Sequence, residues 1–214
     1  VLLGNVRKLI HRNNGIESVV RIALSRGVGL RGCGVSGEEQ PTLLITQHSP
    51  PTTPAKPLSL VSTSARVAIG DPLAKVKSAN KLGSILAKRD AANQGADDGF
   101  ILNSDGNVTE TSSANLFWVE GGTLRTPPVS DGVLPGVTRR LVVGLASALG
   151  QPVREESVAP ERLQQADAVF VTSAATGVIA IGQVDGAALG THSLVCQLQD
   201  AYDAELARHA ATGD

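Results

Sequence analysis

No apolar run in this sequence reaches the roughly eighteen residues that a membrane-spanning helix requires. The opening VLLGNVRKLIHRNN interrupts its short apolar segment with charges, unlike a secretory signal. A cytoplasmic protein without a membrane partner is expected. Charge of one sign is lacking too: 19 basic and 20 acidic residues leave a formal net charge of -1, which offers no basic surface to nucleic acid or to an anionic bilayer. Cysteine is scarce. Cys33 and Cys196 are far apart, and with only His11, His48, His192 and His209 beside them they give neither a disulfide framework nor metal-ligand spacing. Methionine is absent, and the chain opens on Val1 inside a helical pattern, so a missing upstream segment is expected. Removal of an initiator methionine before a small residue would leave the same start.

What is present describes a globular chain. Its 214 residues, 42% hydrophobic and 18% charged, suffice to bury a core as one large domain or two small ones. Leu2, Leu3, Val6, Leu9 and Ile10 recur at spacings of three and four, which predicts a helix from Val1 to Asn14. SVVRIALSRG and PTLLITQ read as an antiparallel strand pair around the glycine-punctuated GVGLRGCGVSGEEQ. HSPPTTPAKP, His48 to Pro57, holds four prolines and no apolar periodicity, so an interdomain linker is expected there. SLVSTSARVAI follows as a strand, and Ala79, Leu82, Ile85 and Leu86 then stand at helical spacing, with Gly95 where the helix would stop. Hairpins are expected at SDGN, from its Asp105-Gly106 pair, and between NLFWV and TLRTP across a GG turn. LPGVT supplies turn residues ahead of the helical positions Leu141, Val142, Leu145 and Leu149. AVFVTSA and VIAIGQV read as strands flanking Thr172 to Gly177, and Leu194 to Ala210 as a terminal amphipathic helix.

Four places offer chemistry. AKVKSANKLGSILAKRD contains Lys75, Lys77, Lys81 and Lys88; a solvated charge is the ordinary reading of each, and Lys77 alone stands at a helix entry from which an amine can point into a cleft. TETSSAN puts the carboxylate of Glu110 at a strand end ahead of hydroxyl residues, where a plain surface glutamate would look the same. LPGVTRR opens a helix whose first N–H groups, with the Thr138 hydroxyl, suit an anion, although most such starts bind water or a capping side chain. TSAATG, Thr172 to Gly177, is either a second source of N–H donors or merely a turn. Together they supply what pyridoxal phosphate needs: an amine for its aldehyde, a partner for its ring nitrogen and a cup for its phosphate.

In order, KSANKLGSILAKRDA, GADDGFILNSDGNVTETSSANLFWVEGGTLRTPP, GVLPGVTRRLVV and ADAVFVTSAATGV resemble the fold-type IV, or class IV aminotransferase, family of pyridoxal-phosphate enzymes. That family includes branched-chain and D-amino-acid aminotransferases and 4-amino-4-deoxychorismate lyase. The resemblance implies that Lys77 is the lysine that binds the cofactor and moves protons, and that Glu110 pairs with the pyridine nitrogen. It implies further that Val137, Thr138 and the turn Ser173, Ala174 and Ala175 hold the phosphate, and that Leu134 packs behind the ring. Some relatives carry threonine at the position of Ala174, where this chain has only a backbone N–H to offer.

SRGVGLRGCG is similar to a loop of the lyases, in which Arg31 would take a substrate carboxylate through its planar fork; a solvated loop arginine is the alternative. Gly177 with Val178 is also similar to the lyases, whereas many aminotransferases have glutamate at that turn; Cys33 departs from the tyrosine of the lyase loop. For the phosphate-binding arginine of the family, Arg66 is the candidate on offer. The implied fold is α/β (α+β), with an incomplete N-terminal α/β domain over residues 1–50 and a linker over 51–56. A mixed β-barrel-like C-terminal domain with flanking helices, residues 57–214, would bind pyridoxal 5'-phosphate. The implied activity is that of an aminodeoxychorismate lyase, a homodimer releasing pyruvate to give 4-aminobenzoate for folate synthesis. A class IV aminotransferase acting on branched-chain or D-amino acids is the first alternative, and a truncated non-catalytic relative the second.

Overall fold

The computed structural model describes residues 2–15 and 17–212. Val1, where the first helical pattern starts, lies outside them, as do Gly213 and Asp214 at the end of the expected C-terminal domain. The chain separates into two compact units, Val1–Thr52 and Thr53–Asp214.

The first unit holds helix α1 (Leu2–Arg12) and the strands β1 (Val19–Ser25) and β2 (Thr42–His48). The strands pair antiparallel from Val19↔His48 to Ser25↔Thr42, as their apolar runs predict, and Asn13 donates to Gln47 Oε1 at 2.8 Å to tie the helix end to β2. Among its described residues none is buried.

The second unit begins with β3 (Leu58–Val67), a 3-10 turn (Pro72–Lys75), α2 (Leu82–Asn93), β4 (Asp98–Asn103) and β5 (Val108–Thr111). It continues with β6 (Asn115–Glu120), β7 (Thr123–Thr126), α3 (Val137–Ala148), β8 (Val153–Glu155), α4 (Pro160–Leu163), β9 (Ala168–Ser173), β10 (Gly177–Val184), β11 (Ala187–Ala188) and α5 (Ser193–Thr212). Strand β10 pairs with β3, and the pairing runs on through β4, β5, β6 and β9 back to β10, so these strands close a barrel; β7, β8 and β11 extend it. The SDGN turn joins β4 to β5 as its Asp-Gly pair predicts, with Asn103 Oδ1 accepting from the backbone of Asp105 and Asn107. The β3–β4 pair is parallel, which no tight turn can connect, and α2 supplies the crossover. Strands β8 and β11 and helix α4 have no counterpart in the sequence pattern.

Alternation along each strand sorts the side chains into two cores. Leu116 and Trp118 of β6 join Val169 and Val171 of β9, Phe100 of β4 and Ile181 of β10 in one cluster, which fills the barrel. Their neighbours Phe117, Val119, Ala168, Phe170 and Val178 face outward and are covered by Val142 and Ala146 of α3 and by Leu198 and Tyr202 of α5. Phe117 and Phe170 stack at 5.0 Å in that outer layer. Continued toward the start of α3, the same outward face carries polar residues: Asn115 on β6 stands opposite Thr172 on β9.

Candidate active site

At that end of the outward face lies a cavity of about 350 Å³, bounded by the segment entering α2, by β5, β6 and β9 and by the first turn of α3. Lys77, exposed between the 3-10 turn and α2, lines it together with Lys75 and with Lys81, the N-cap residue of α2. The sequence placed Lys75 and Lys81 among ordinary solvated charges, yet the turn and the helix start bring both to the cavity wall. Lys88 keeps its solvated position near Asp98, at 3.8 Å.

Glu110 reaches the cavity because β5 is irregular. Phe100 pairs with Thr111 while Leu102 pairs with Val108, so one extra residue bulges on the β5 side. Such a bulge re-aims a side chain, and here Glu110 comes opposite Asn115 instead of following Val108 into the barrel. Its Oε2 accepts from Asn115 Nδ2 at 3.0 Å and from the Leu134 N–H at 3.2 Å. Burial pushes the carboxyl up to about 7, against the Leu134 N–H and the cations of Lys77 and Lys81, which pull it down. Glu110 and Lys81 also border a neighbouring cavity of about 290 Å³, and it is this second cavity that Arg66 lines. The Arg66 guanidinium donates to the carbonyls of Thr63 and Ala65 at 2.6 and 2.9 Å.

The remaining wall offers backbone and hydroxyl donors. Helix α3 starts at Gly136 without a side-chain cap, leaving the first-turn N–H groups of Val137 and Thr138 beside the cavity. Leu134, Ser173 and Ala174 line it as well, while Ala175 lies just beyond in the same turn. Ser173 Oγ holds that turn closed, accepting from the Thr176 N–H at 3.2 Å and sharing a hydrogen bond with the Thr176 hydroxyl at 2.8 Å. Thr172 Oγ1 is buried here with no hydrogen-bond partner among the described residues. Arg31 stands on the exposed loop between β1 and β2 in the other unit. Asn115 escaped the sequence reading, although it closes the TETSSAN motif; its amide matters through the fold, which brings it against Glu110.

A family model described as amino-transferase class IV matches residues 2–184. The chain belongs to the class IV aminotransferase family. It is similar to a provisionally named branched-chain-amino-acid aminotransferase of Methanocaldococcus jannaschii, 34% identical over 85% of this chain and 64% of that protein. The chain thus spans less than two thirds of that relative's length. Among solved structures it resembles a provisionally named 4-amino-4-deoxychorismate lyase from Legionella pneumophila, with a TM-score of 0.84 and 32% identity over 89% of this chain and 71% of the other. It also resembles a T.th. branched-chain aminotransferase solved with pyridoxamine 5'-phosphate, with a TM-score of 0.83 and 26% identity over 91% of this chain and 66% of that one.

Class IV aminotransferases use pyridoxal 5'-phosphate. The cavity's donor set fits that cofactor: an amine from Lys77, a half-buried carboxylate with one oxygen unclaimed among the described residues, and an uncapped helix start facing a hydroxyl turn.

Proposed function

We propose that this class IV aminotransferase chain binds pyridoxal 5'-phosphate in the cavity between α2 and α3 and acts as a 4-amino-4-deoxychorismate lyase. The observation that carries the cofactor reading is the convergence of Lys77, Glu110 and the uncapped start of α3 on one cavity. When bound, the cofactor supplies an aldehyde for covalent attachment and a ring that withdraws electrons. Lys77 Nζ would hold the cofactor through that aldehyde and, once displaced by the substrate's own amine, would be the free base that moves the proton at the substrate's α-carbon. Glu110 Oε1 would accept from the ring N–H, whose positive charge would offset the desolvation that raises the carboxyl in the bare chain. The N–H groups of Val137 and Thr138 and the Ser173–Ala175 turn would hold the phosphate, and Leu134 would pack behind the ring. By its similarity to the lyase loop, Arg31 is the residue proposed to take a substrate carboxylate, and a cytoplasmic homodimer is the proposed active form.

One position supports the lyase over the transaminase. Gly177 has φ +65, and a Cβ there would stand 2.7 Å from Tyr202 Cε1, so the glutamate that many aminotransferases carry at this turn has no room. The similarity to the Methanocaldococcus jannaschii protein favours the second reading, an aminotransferase of branched-chain or D-amino acids. Adding pyridoxal phosphate to the purified chain should give a visible absorbance band that borohydride fixes on Lys77, read by peptide mass. A chain that stays colourless overturns the cofactor reading and leaves a non-catalytic relative. Incubation with aminodeoxychorismate should yield 4-aminobenzoate and pyruvate. Glutamate formed from an amino acid and 2-oxoglutarate, with no 4-aminobenzoate, decides for the aminotransferase.

A further inference from the structure

The amide of Asn115 has both its hydrogens spent. Nδ2 donates to the Leu134 carbonyl at 2.9 Å and to Glu110 Oε2 at 3.0 Å. Because a carbonyl can only accept, the amide nitrogen rather than its oxygen must face Leu134, and this fixes the orientation of the side chain. The Leu134 N–H donates back to the same Oε2, so backbone, amide and carboxylate close a ring. Oε2 is thereby saturated, and among the described residues no protein donor reaches Oε1. Gly136 completes the arrangement. As the N-cap of α3 it has φ -63 and ψ 141, a conformation open to any residue, so its backbone does not call for glycine. A Cβ there would collide with Asn115 Oδ1.

We propose that Asn115 is a positioning residue that clamps the Glu110 carboxylate with Oε1 left for the cofactor's ring nitrogen, and that position 136 is glycine because only a missing side chain leaves room for the clamp. The role rests on the pyridoxal-phosphate reading of the cavity and deepens it. The charged groups around Glu110 are Lys75 and Lys77 from the segment before α2 and Lys81 at its N-cap in this cavity, and Arg66 and Asp71 in the neighbouring cavity that Glu110 also borders; among the described residues no other acid lines the first cavity. Asn115 contributes a neutral donor that favours the charged carboxylate without adding a cation.

The whole chain with carbon-13 label in glutamate, free of cofactor, provides the test by NMR. Asn115→Leu keeps the shape and removes the donor, and should raise the Glu110 midpoint by about one pH unit. Gly136→Ala touches neither partner chemically and should move the midpoint in the same direction by displacing Asn115. Pyridoxal phosphate should bind either variant about fivefold more weakly at neutral pH, as the charged fraction of Glu110 falls from about half to about a tenth. In the unmodified chain the Asn115 side-chain amide signal should titrate with the Glu110 midpoint, a readout that needs no variant. Folded variants with an unmoved midpoint, or an Asn115 amide indifferent to the titration, overturn the clamp. Should the midpoint move in a chain that takes up no cofactor, the clamp stands and the cofactor reading falls; cofactor fixed on Lys77 beside an unmoved midpoint gives the reverse.

Discussion

Glu110 is held in its own fold at a cost. Burial raises its carboxyl from 4.5 to about 7, so between those values the folded chain binds a proton that the unfolded chain has released. This residue therefore favours folding below about pH 4.5, and its contribution is lost as the pH climbs to about 7. Glu110→Gln keeps an oxygen for Asn115 and Leu134 but cannot ionise. The stability difference between the variant and the parent should open from near zero in acid to on the order of 3 kcal/mol, in favour of glutamine, above neutrality. Urea unfolding of both chains at the two ends of that range measures it. An equal difference at both ends would mean that Glu110 ionises freely in the folded chain. On the proposed binding of pyridoxal phosphate the difference should narrow, because a ring N–H at Glu110 would restore a counter-charge. The sequence offered Glu110 as a carboxylate at a strand end. Its burial, its bulge and its dependence on Asn115 arise from pairing between strands, and no local pattern encodes them.

At the scale of elements, α3 is held in place by a residue that helix electrostatics disfavour. Arg139 lies in the first turn, where the helix dipole opposes a cation, yet it is buried. Its Nη2 donates to the Pro127 carbonyl at 3.1 Å and pairs with Glu155 Oε2 at 3.1 Å. The anchor ties the first turn of α3 to the segment after β7 and to β8. Arg139→Ala should destabilise the chain by about 2 kcal/mol, less than for a fully buried pair because the Glu155 side chain is 50% exposed. Arg139→Met, which fills the volume without a charge, should recover part of that loss. Chemical denaturation reads both, and an alanine variant as stable as the parent would remove the anchor. The start of α3 itself was legible from LPGVT, as were the hairpins at Asp105-Gly106 and at the GG turn, because turn residues act over a few positions. The parallel pairings of β3 with β4 and β10, and the closure of β9 onto β6, were not. They join residues far apart in sequence, and the two-faced apolar strands look alike until partners are assigned.

For the whole molecule the decisive contrast is in burial. Residues 53–214 carry the barrel core and the layer beneath α3 and α5, both built from buried side chains. Residues 1–52 carry an 11-residue helix and one strand pair, and large apolar side chains there stand open, Leu24 at 72%, Val28 at 92% and Leu44 at 57%. A helix of that length is marginal in water, a two-stranded hairpin is marginal too, and so small a chain cannot offset its conformational entropy without a core. The His48–Pro57 segment, with its prolines, marks where the two behaviours meet. Expressed separately, residues 53–214 should keep a cooperative thermal transition and the circular dichroism of a mixed α/β fold. A peptide of residues 1–52 should give a coil spectrum with no transition. A cooperative melt in that peptide would mean that α1, β1 and β2 find enough burial among themselves, which their exposed leucines and valines argue against. Loss of folding in the larger piece would mean that the barrel is not self-sufficient, despite a closed ring of strands around Phe100, Leu116 and Trp118.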